Sequence, residues 1–238
     1  MKFKISLFLT ATLFLMSCGS PDSSHNTNSG NAQAKGFRTE KITCNGRFLV
    51  NYKQKDGSDN KELSEWVSIT SRNLTPSNDG RSIIADTSGE TTQNTYQYFN
   101  DSTKTFLSKL SYEDISHRNS ETTSLPDGTV KDISRVSTMK TGKDGSQFPD
   151  GNGGKTDSVE SEHTYESITR IDGDRTYDIS IKVDGKSQPV HDYVNTSRTD
   201  NGVKTSRTTL TAPFSEIDQY GETITEVDDS ICRTEIVK

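Results

Sequence analysis

Apolar side chains are scarce in this 238-residue chain, where hydrophobic residues of all types make up 28%. So low a fraction permits disorder when the charge is also of one sign. Here 28 Lys and Arg face 34 Asp and Glu, interspersed along the chain. No basic patch or stripe forms, which argues against a phosphate-binding surface and so against nucleic acid as a partner. Beyond residue 16 there is no long apolar run, and a helical membrane span needs roughly 20 such residues. No segment of the rest shows the 3.6-residue apolar period of a helix facing a core.

Catalytic motifs are missing as well. There is no Gly-x-Ser-x-Gly elbow and no His-Glu-x-x-His pair. His117, His163 and His191 are far apart in sequence, and His25 lies in a polar stretch. Glu160-Ser161-Glu162-His163 is the densest cluster, but on a strand Glu160 and Glu162 share one face while His163 takes the other. It reads as a solvated polar face. Asp150-Gly151-Asn152-Gly153-Gly154 begins like a calcium loop; its sixth position is Lys155 and its twelfth Ser161, where such a loop needs glycine and glutamate. A plain turn is expected there, with no metal, no cofactor and no enzymatic activity.

What the chain does have is strand chemistry. From Phe37 onward, Thr-rich segments alternate with Gly-containing turn signals: Asn45-Gly46, Asp56-Gly57, Asp79-Gly80, Ser88-Gly89, Asp127-Gly128, Asp144-Gly145, Asp172-Gly173, Asp184-Gly185 and Asn201-Gly202. Asn-Gly and Asp-Gly adopt positive φ readily and suit two-residue hairpins. In Thr176–Val183, Tyr177, Ile179, Ile181 and Val183 alternate with polar residues, the period of a half-buried strand. Val203, Thr205, Arg207 and Thr209 share a polar face, so neighbouring strands must supply the core there. A sheet wet on one side needs only every second residue apolar, which reconciles an ordered domain with the composition. The expected fold is all-β: an antiparallel meander of about a dozen strands, curled into a barrel or a two-sheet sandwich. Gly142–Lys155 is expected to be an exposed loop, with shorter, less regular strands before it and longer ones after.

The first eighteen residues stand apart. Lys2 and Lys4 precede an apolar run, Ile5 to Met16, and Leu15-Met16-Ser17-Cys18 closes it. A positive start, about a dozen apolar residues and a small-residue end make a secretory signal. Its end resembles the lipobox of bacterial lipoproteins, with Leu15 three before the cysteine and Ser17 just before it; Met16 departs from the usual choice between them. The resemblance implies a signal peptide over 1–17, cleavage before Cys18, and a diacylglyceryl group on the Cys18 thiol with the new amine acylated by a fatty acid such as palmitate. Several acyl chains, each buried methylene contributing about 0.8 kcal/mol, hold a protein to a bilayer. Gly19, in place of the aspartate tied to inner-membrane retention, implies the outer membrane. Gly19 to Gly36 is almost free of apolar residues, so 18–36 reads as lipidated cysteine and tether with a reach of about 24 Å. Residues 37–238 then form a single β domain.

With Cys18 committed to lipid, Cys44 and Cys232 remain. In an exported protein two such cysteines are most simply a disulfide; two buried thiols are the alternative, and zinc lacks two further ligands nearby. A bridge closing roughly 190 residues stabilises by up to about 5 kcal/mol on the chain-entropy model. Tyr96 and Tyr98 share a strand face, with Phe99 following, and such a pair either contacts a ligand or partner or belongs to the core. Trp66 is ambiguous in the same way. The function expected is that of a lipid-anchored, non-enzymatic binding or structural module of the cell envelope, with an envelope protein or a glycan as partner. The alternative is a periplasmic carrier of an apolar ligand inside a barrel.

Overall fold

The computed structural model describes residues 37–76, 82–99, 103–217 and 221–237. The signal peptide, Cys18, the tether and the Asp79-Gly80 turn signal lie outside the described residues.

Five long strands open the chain: β1 (Arg38–Gln54), β2 (Asp59–Pro76), β3 (Ser82–Tyr98), β4 (Lys104–Ser124) and β5 (Thr129–Lys143). A small ribbon follows, β6 (Phe148–Pro149) with β7 (Lys155–Thr156), then β8 (Ser158–Asp172), β9 (Arg175–Val183) and the short β10 (Lys186–Gln188). The chain ends with β11 (Tyr193–Asp200), β12 (Val203–Leu210), β13 (Phe214–Ile217) and β14 (Gly221–Ile236). Neighbours run β1-β2-β3-β4-β5-β8-β9-β11-β12-β14, and β14 pairs back onto β1. Ten antiparallel strands therefore close into a barrel. β10 and β13 are branches on β9 and β14.

Closure is made by β1 on β14, paired from Glu40↔Ile236 to Gln54↔Gly221. Cys44 and Cys232 are direct partners in that ladder, with Cα atoms 4.1 Å apart and their sulfurs joined. With Ile42 they form a buried cluster against which Trp66 packs. Alternation from these residues defines the two walls. Glu40, Ile42, Cys44 and Val50 of β1 are buried on the inner wall, while Lys41, Thr43, Asn45 and Arg47 are exposed on the outer one. The inner wall is largely small and polar, with Ser64, Ser68, Thr70, Ser134, Thr208 and Ser230 all buried. Its charges are mostly compensated. Arg72 and Arg38 both pair with Glu40, and Arg118 pairs with Asp132 at 2.8 Å.

Four expectations are corrected. Asn45-Gly46 and Ser88-Gly89 are mid-strand residues of β1 and β3, not turns. Their glycines serve close packing: a Cβ on Gly46 would lie 2.6 Å from ring carbons of Trp66, and one on Gly89 would collide with Thr70. The strict alternation over Thr176–Val183 breaks at Ile179, because Ser180 pairs Ile168 while Asp178 pairs the next residue, Thr169. Thus Asp178, half-buried, and Ile181 end on the same side although they are three positions apart, an offset that regular alternation would put on opposite faces. The five strands before the loop are all long, 15–21 residues, whereas after β8 the strands β9, β11 and β12 have only eight or nine and β14, with 16, is long again. Finally, the Gly142–Lys155 loop is exposed over residues 149–155, as expected, but its first half folds back on the barrel. Phe148 is 6% exposed, its ring set edge-on to Tyr112 at 5.7 Å, and the Ser111 amide donates to Ser146 Oγ.

Candidate functional site

Two features of the barrel wall stand out. The first is a row of apolar side chains on the outer face. Trp66 is packed on the core, so Ser64 and Glu62 also face inward and Leu63 faces out. Register then fixes its neighbours. Val227 pairs Leu49, Leu49 pairs Leu63, Leu63 pairs Tyr96, and Tyr96 pairs Phe106. Five adjacent strands (β14, β1, β2, β3 and β4) thus each contribute one apolar residue at the same level. A bulge helps to set this up, since the partner of Thr95 is Ser108 and that of Tyr96 is Phe106, leaving Leu107 unpaired and 47% exposed. Phe106 is 56% and Phe99 46% exposed.

The edges of the row are charged and self-satisfied. Lys104 lies 4.2 Å from the Tyr96 ring centroid and 2.7 Å from Glu65, and Lys61 pairs with Glu226 at 2.6 Å. The Tyr96 and Phe106 rings meet edge-to-face at 6.0 Å. Tyr98 pairs Lys104, placing it on the same face as Tyr96. Sequence reasoning singled out Tyr96 and Tyr98 but missed Leu49, Leu63, Phe106 and Val227, which share no local pattern. Trp66, singled out with them, is an inner-wall residue under Gly46.

The second feature is a seam. β9 meets β11 only at Asn195↔Thr176 and Thr196↔Arg175, while β10 covers the other half of β9, Ile181 to Val183. Between these pairings a cleft of about 250 Å³ opens, lined by Tyr177, Asp178, Val190, His191, Tyr193 and Val194 among others. The 189–192 segment is tied to the β12 side, with the Thr211 amide and hydroxyl both donating to the Asp192 carbonyl. Burial raises the pKa of Asp178 above the usual carboxylate range. Beyond Tyr193, its hydroxyl donates to Asp228 at 2.6 Å. Burial, opposed by that hydrogen bond, pushes the Asp228 carboxyl up to about 7.

The histidines are dispersed. His117 bonds Asp86, and His163 bonds Asp184, which in turn accepts from the Thr164 amide. His191 stacks on Phe214 with ring centroids 3.5 Å apart, and burial lowers its pKa, so the ring is neutral at pH 7. Glu162 pairs with Arg135, away from His163. Asp150 spends its Oδ1 on the amides of Asn152 and Gly154, which closes its own turn. On the inner wall, Asp114 and Lys140 are direct partners; burial pushes the acid up and the amine down.

No known family model and no curated protein matches the chain. Among solved structures, it is similar to an outer membrane channel from Pseudomonas putida F1, at 10% identity and a TM-score of 0.48, covering 88% of this chain and 100% of that one. It is also similar to the β domain of the Bordetella autotransporter BrkA, at 7% identity and a TM-score of 0.38, covering 83% and 98%. The translocator domain of the autotransporter NalP from Neisseria meningitidis aligns at 7% identity with a TM-score of 0.28, covering 88% and 90%.

Proposed function

We propose that this protein is a lipid-anchored, non-enzymatic β-barrel of the bacterial outer membrane that docks an envelope protein through the apolar row on its outer wall. The row Val227–Leu49–Leu63–Tyr96–Phe106 carries the reading. An apolar centre with a charged rim is the anatomy of a protein interface. A sugar-binding aromatic platform needs free hydrogen-bonding groups beside the rings, and here Lys104 and Glu65 are spent on each other.

The anchor is supported by the lipobox-like Leu15-Met16-Ser17-Cys18, and the wall supports an aqueous setting for the barrel itself. A barrel that spans a bilayer presents an apolar band about 25 Å tall, and each Arg or Lys facing lipid at mid-depth costs about 2–4 kcal/mol. The outer wall carries Lys41 and Arg47 on β1, Glu90 on β3, Glu113 on β4, Arg135 on β5 and Glu160 and Glu162 on β8. The acyl chains on Cys18 would therefore make the membrane contact. The carrier alternative is disfavoured by the polar inner wall, and catalysis by the separation of the histidines.

Two measurements test the reading. Cys18→Ser should move the protein from the membrane to the soluble periplasmic fraction; retention would sink the anchor. A photo-crosslinking residue at Phe106 should trap a discrete envelope protein in cells. The same residue at Glu162, outside the row, should not, and Leu63→Ser with Tyr96→Ser should abolish the adduct. Equal labelling from both positions, or capture of glycan alone, would overturn the docking reading.

A further inference from the structure

We propose that the cleft at the β9–β11 seam is a binding site for a small organic ammonium ion, a primary amine on an apolar body, with Asp178 as its counter-ion. The inference is independent of the docking row, which lies on other strands.

The wall itself makes the opening. Most neighbouring strands of the barrel pair over seven residues or more, whereas β9 and β11 share two residue pairs, and β10 branches away at Gln188↔Ile181. From Tyr177 to Ser180, the edge of β9 that faces β11 has no strand partner among the described residues. That edge carries Asp178 into a cleft whose remaining lining includes Ile179, Val190, Tyr193 and Val194.

Charge selects the ligand. Asp178 is half-buried and has no hydrogen-bond or ion-pair partner among the described residues. The nearby cation, Arg170, sits 5.2 Å over the ring of Tyr177. His191 is stacked on Phe214 and neutral, so it does not compensate the acid. A partly buried carboxylate without a partner is costly, and a charged donor is what repays it. An ammonium ion supplies three donors, and the ring of Tyr193 adds a negative face of the kind that cations favour. The aliphatic wall of Ile179, Val190 and Val194 suits the body that carries the amine. Carboxylate and phosphate ligands would meet Asp178 and Asp192, while the lining's cation, Arg170, is held over the Tyr177 ring. At about 250 Å³ the cleft is below the usual range for drug-sized ligands, which points to something of metabolite size.

Benzylamine, benzyl alcohol and benzoate share a ring and differ in the charge of the attached group. Titrated into the full-length protein and followed by amide NMR shifts, benzylamine should perturb residues 177–180 and 193–194 saturably, at least tenfold more tightly than benzyl alcohol. Benzoate should leave them unmoved. Asp178→Asn is near-isosteric and removes an unpaired charge, so the fold should persist by circular dichroism while the preference for the amine disappears. Val190→Trp, made on an exposed loop residue, should block the cleft with Asp178 intact. The proposal fails if benzyl alcohol binds as well as benzylamine, if Asp178→Asn binds the amine unchanged, or if no saturable shift appears in that segment.

Discussion

The hydroxyl of Tyr193 donates a 2.6 Å hydrogen bond to Oδ2 of Asp228, and the other carboxylate oxygen, Oδ1, is buried with no hydrogen-bond partner among the described residues. Asp228 is only 5% exposed. Its position on the inner wall, directly opposite Phe48 of β1, explains the imbalance: the site was closed by barrel pairing, and one neighbour serves a group with two acceptors.

Stability should therefore fall as the pH rises from about 4 to about 7. The folded Asp228 holds its proton up to about 7, from an ordinary value of 3.8, so in this window the native state binds more protons than the unfolded chain. The contribution is complete below pH 4 and is lost as the carboxyl ionises, amounting to at most roughly 4 kcal/mol. Asp114, buried, and Asp178, half-buried, are also raised and act in the same sense. Asp56, Asp127 and Asp184 are lowered and act oppositely, but they are exposed and solvent screens them. Urea midpoints measured between pH 4 and pH 8 check this. Asp228→Asn should flatten the profile and raise the midpoint at pH 8, and an unchanged slope would remove Asp228 as its cause.

Gly46→Ala should destabilise by about 1–3 kcal/mol, the usual cost of overpacking. The added methyl would lie 2.6 Å from Trp66 ring carbons and 2.7 Å from the Asp229 carbonyl oxygen. Trp66→Leu in the same chain should recover part of the loss by relieving the first contact, though not the second. A double-mutant cycle on urea midpoints measures the coupling. Strict additivity would mean that the ring moves away freely.

How much of this was legible depends on whether the cause is local. Asp144-Gly145, Asp184-Gly185 and Asn201-Gly202 each place both residues at positive φ, so those turns follow from the dipeptides themselves. The all-β meander follows from them and from the Thr-rich segments between them. Asn45-Gly46 is the same dipeptide used for another purpose, because the demand comes from Trp66 on the next strand. The break in alternation at Ile179 likewise arises from pairing with β8. The apolar row was hidden for the same reason: Leu49, Leu63, Tyr96, Phe106 and Val227 come from five strands, and only barrel register aligns them. Asp178 looked like an outward polar residue until the bulge reversed it.

The Cys44–Cys232 bridge should resist reduction while the barrel is closed. The cysteines are 8% and 3% exposed and lie inside the closing ladder, four pairs in from its Glu40↔Ile236 end, so a thiolate reaches them only when β1 and β14 part there. Dithiothreitol should act slowly on the native protein and much faster in urea below the unfolding midpoint, as followed by mobility on non-reducing gels. Once reduced, the protein should lose up to about 5 kcal/mol on the chain-entropy model, given the separation of 188 residues. Rapid reduction under native conditions would mean that the seam opens readily, and the barrel would then have a second weak joint beside β9–β11.

Phe106→Ser separates folding from binding. The side chain is 56% exposed and touches Tyr96 edge-on from the outer face, so its loss leaves no cavity in the core. Surface substitutions of this kind usually stay within about 0.5 kcal/mol of the parent. An aromatic anchor that a partner covers is another matter, where truncation typically costs 2 kcal/mol or more, on the order of a thirtyfold loss of affinity. Leu63→Ser should behave differently, since Leu63 is half-buried between Leu49 and Tyr96 and its loss weakens the row itself as well as the contact. Thermal melts and the in-cell crosslink read the two effects separately. A Phe106→Ser variant that melts normally and still crosslinks at full yield from Tyr96 would show that the partner does not rest on Phe106.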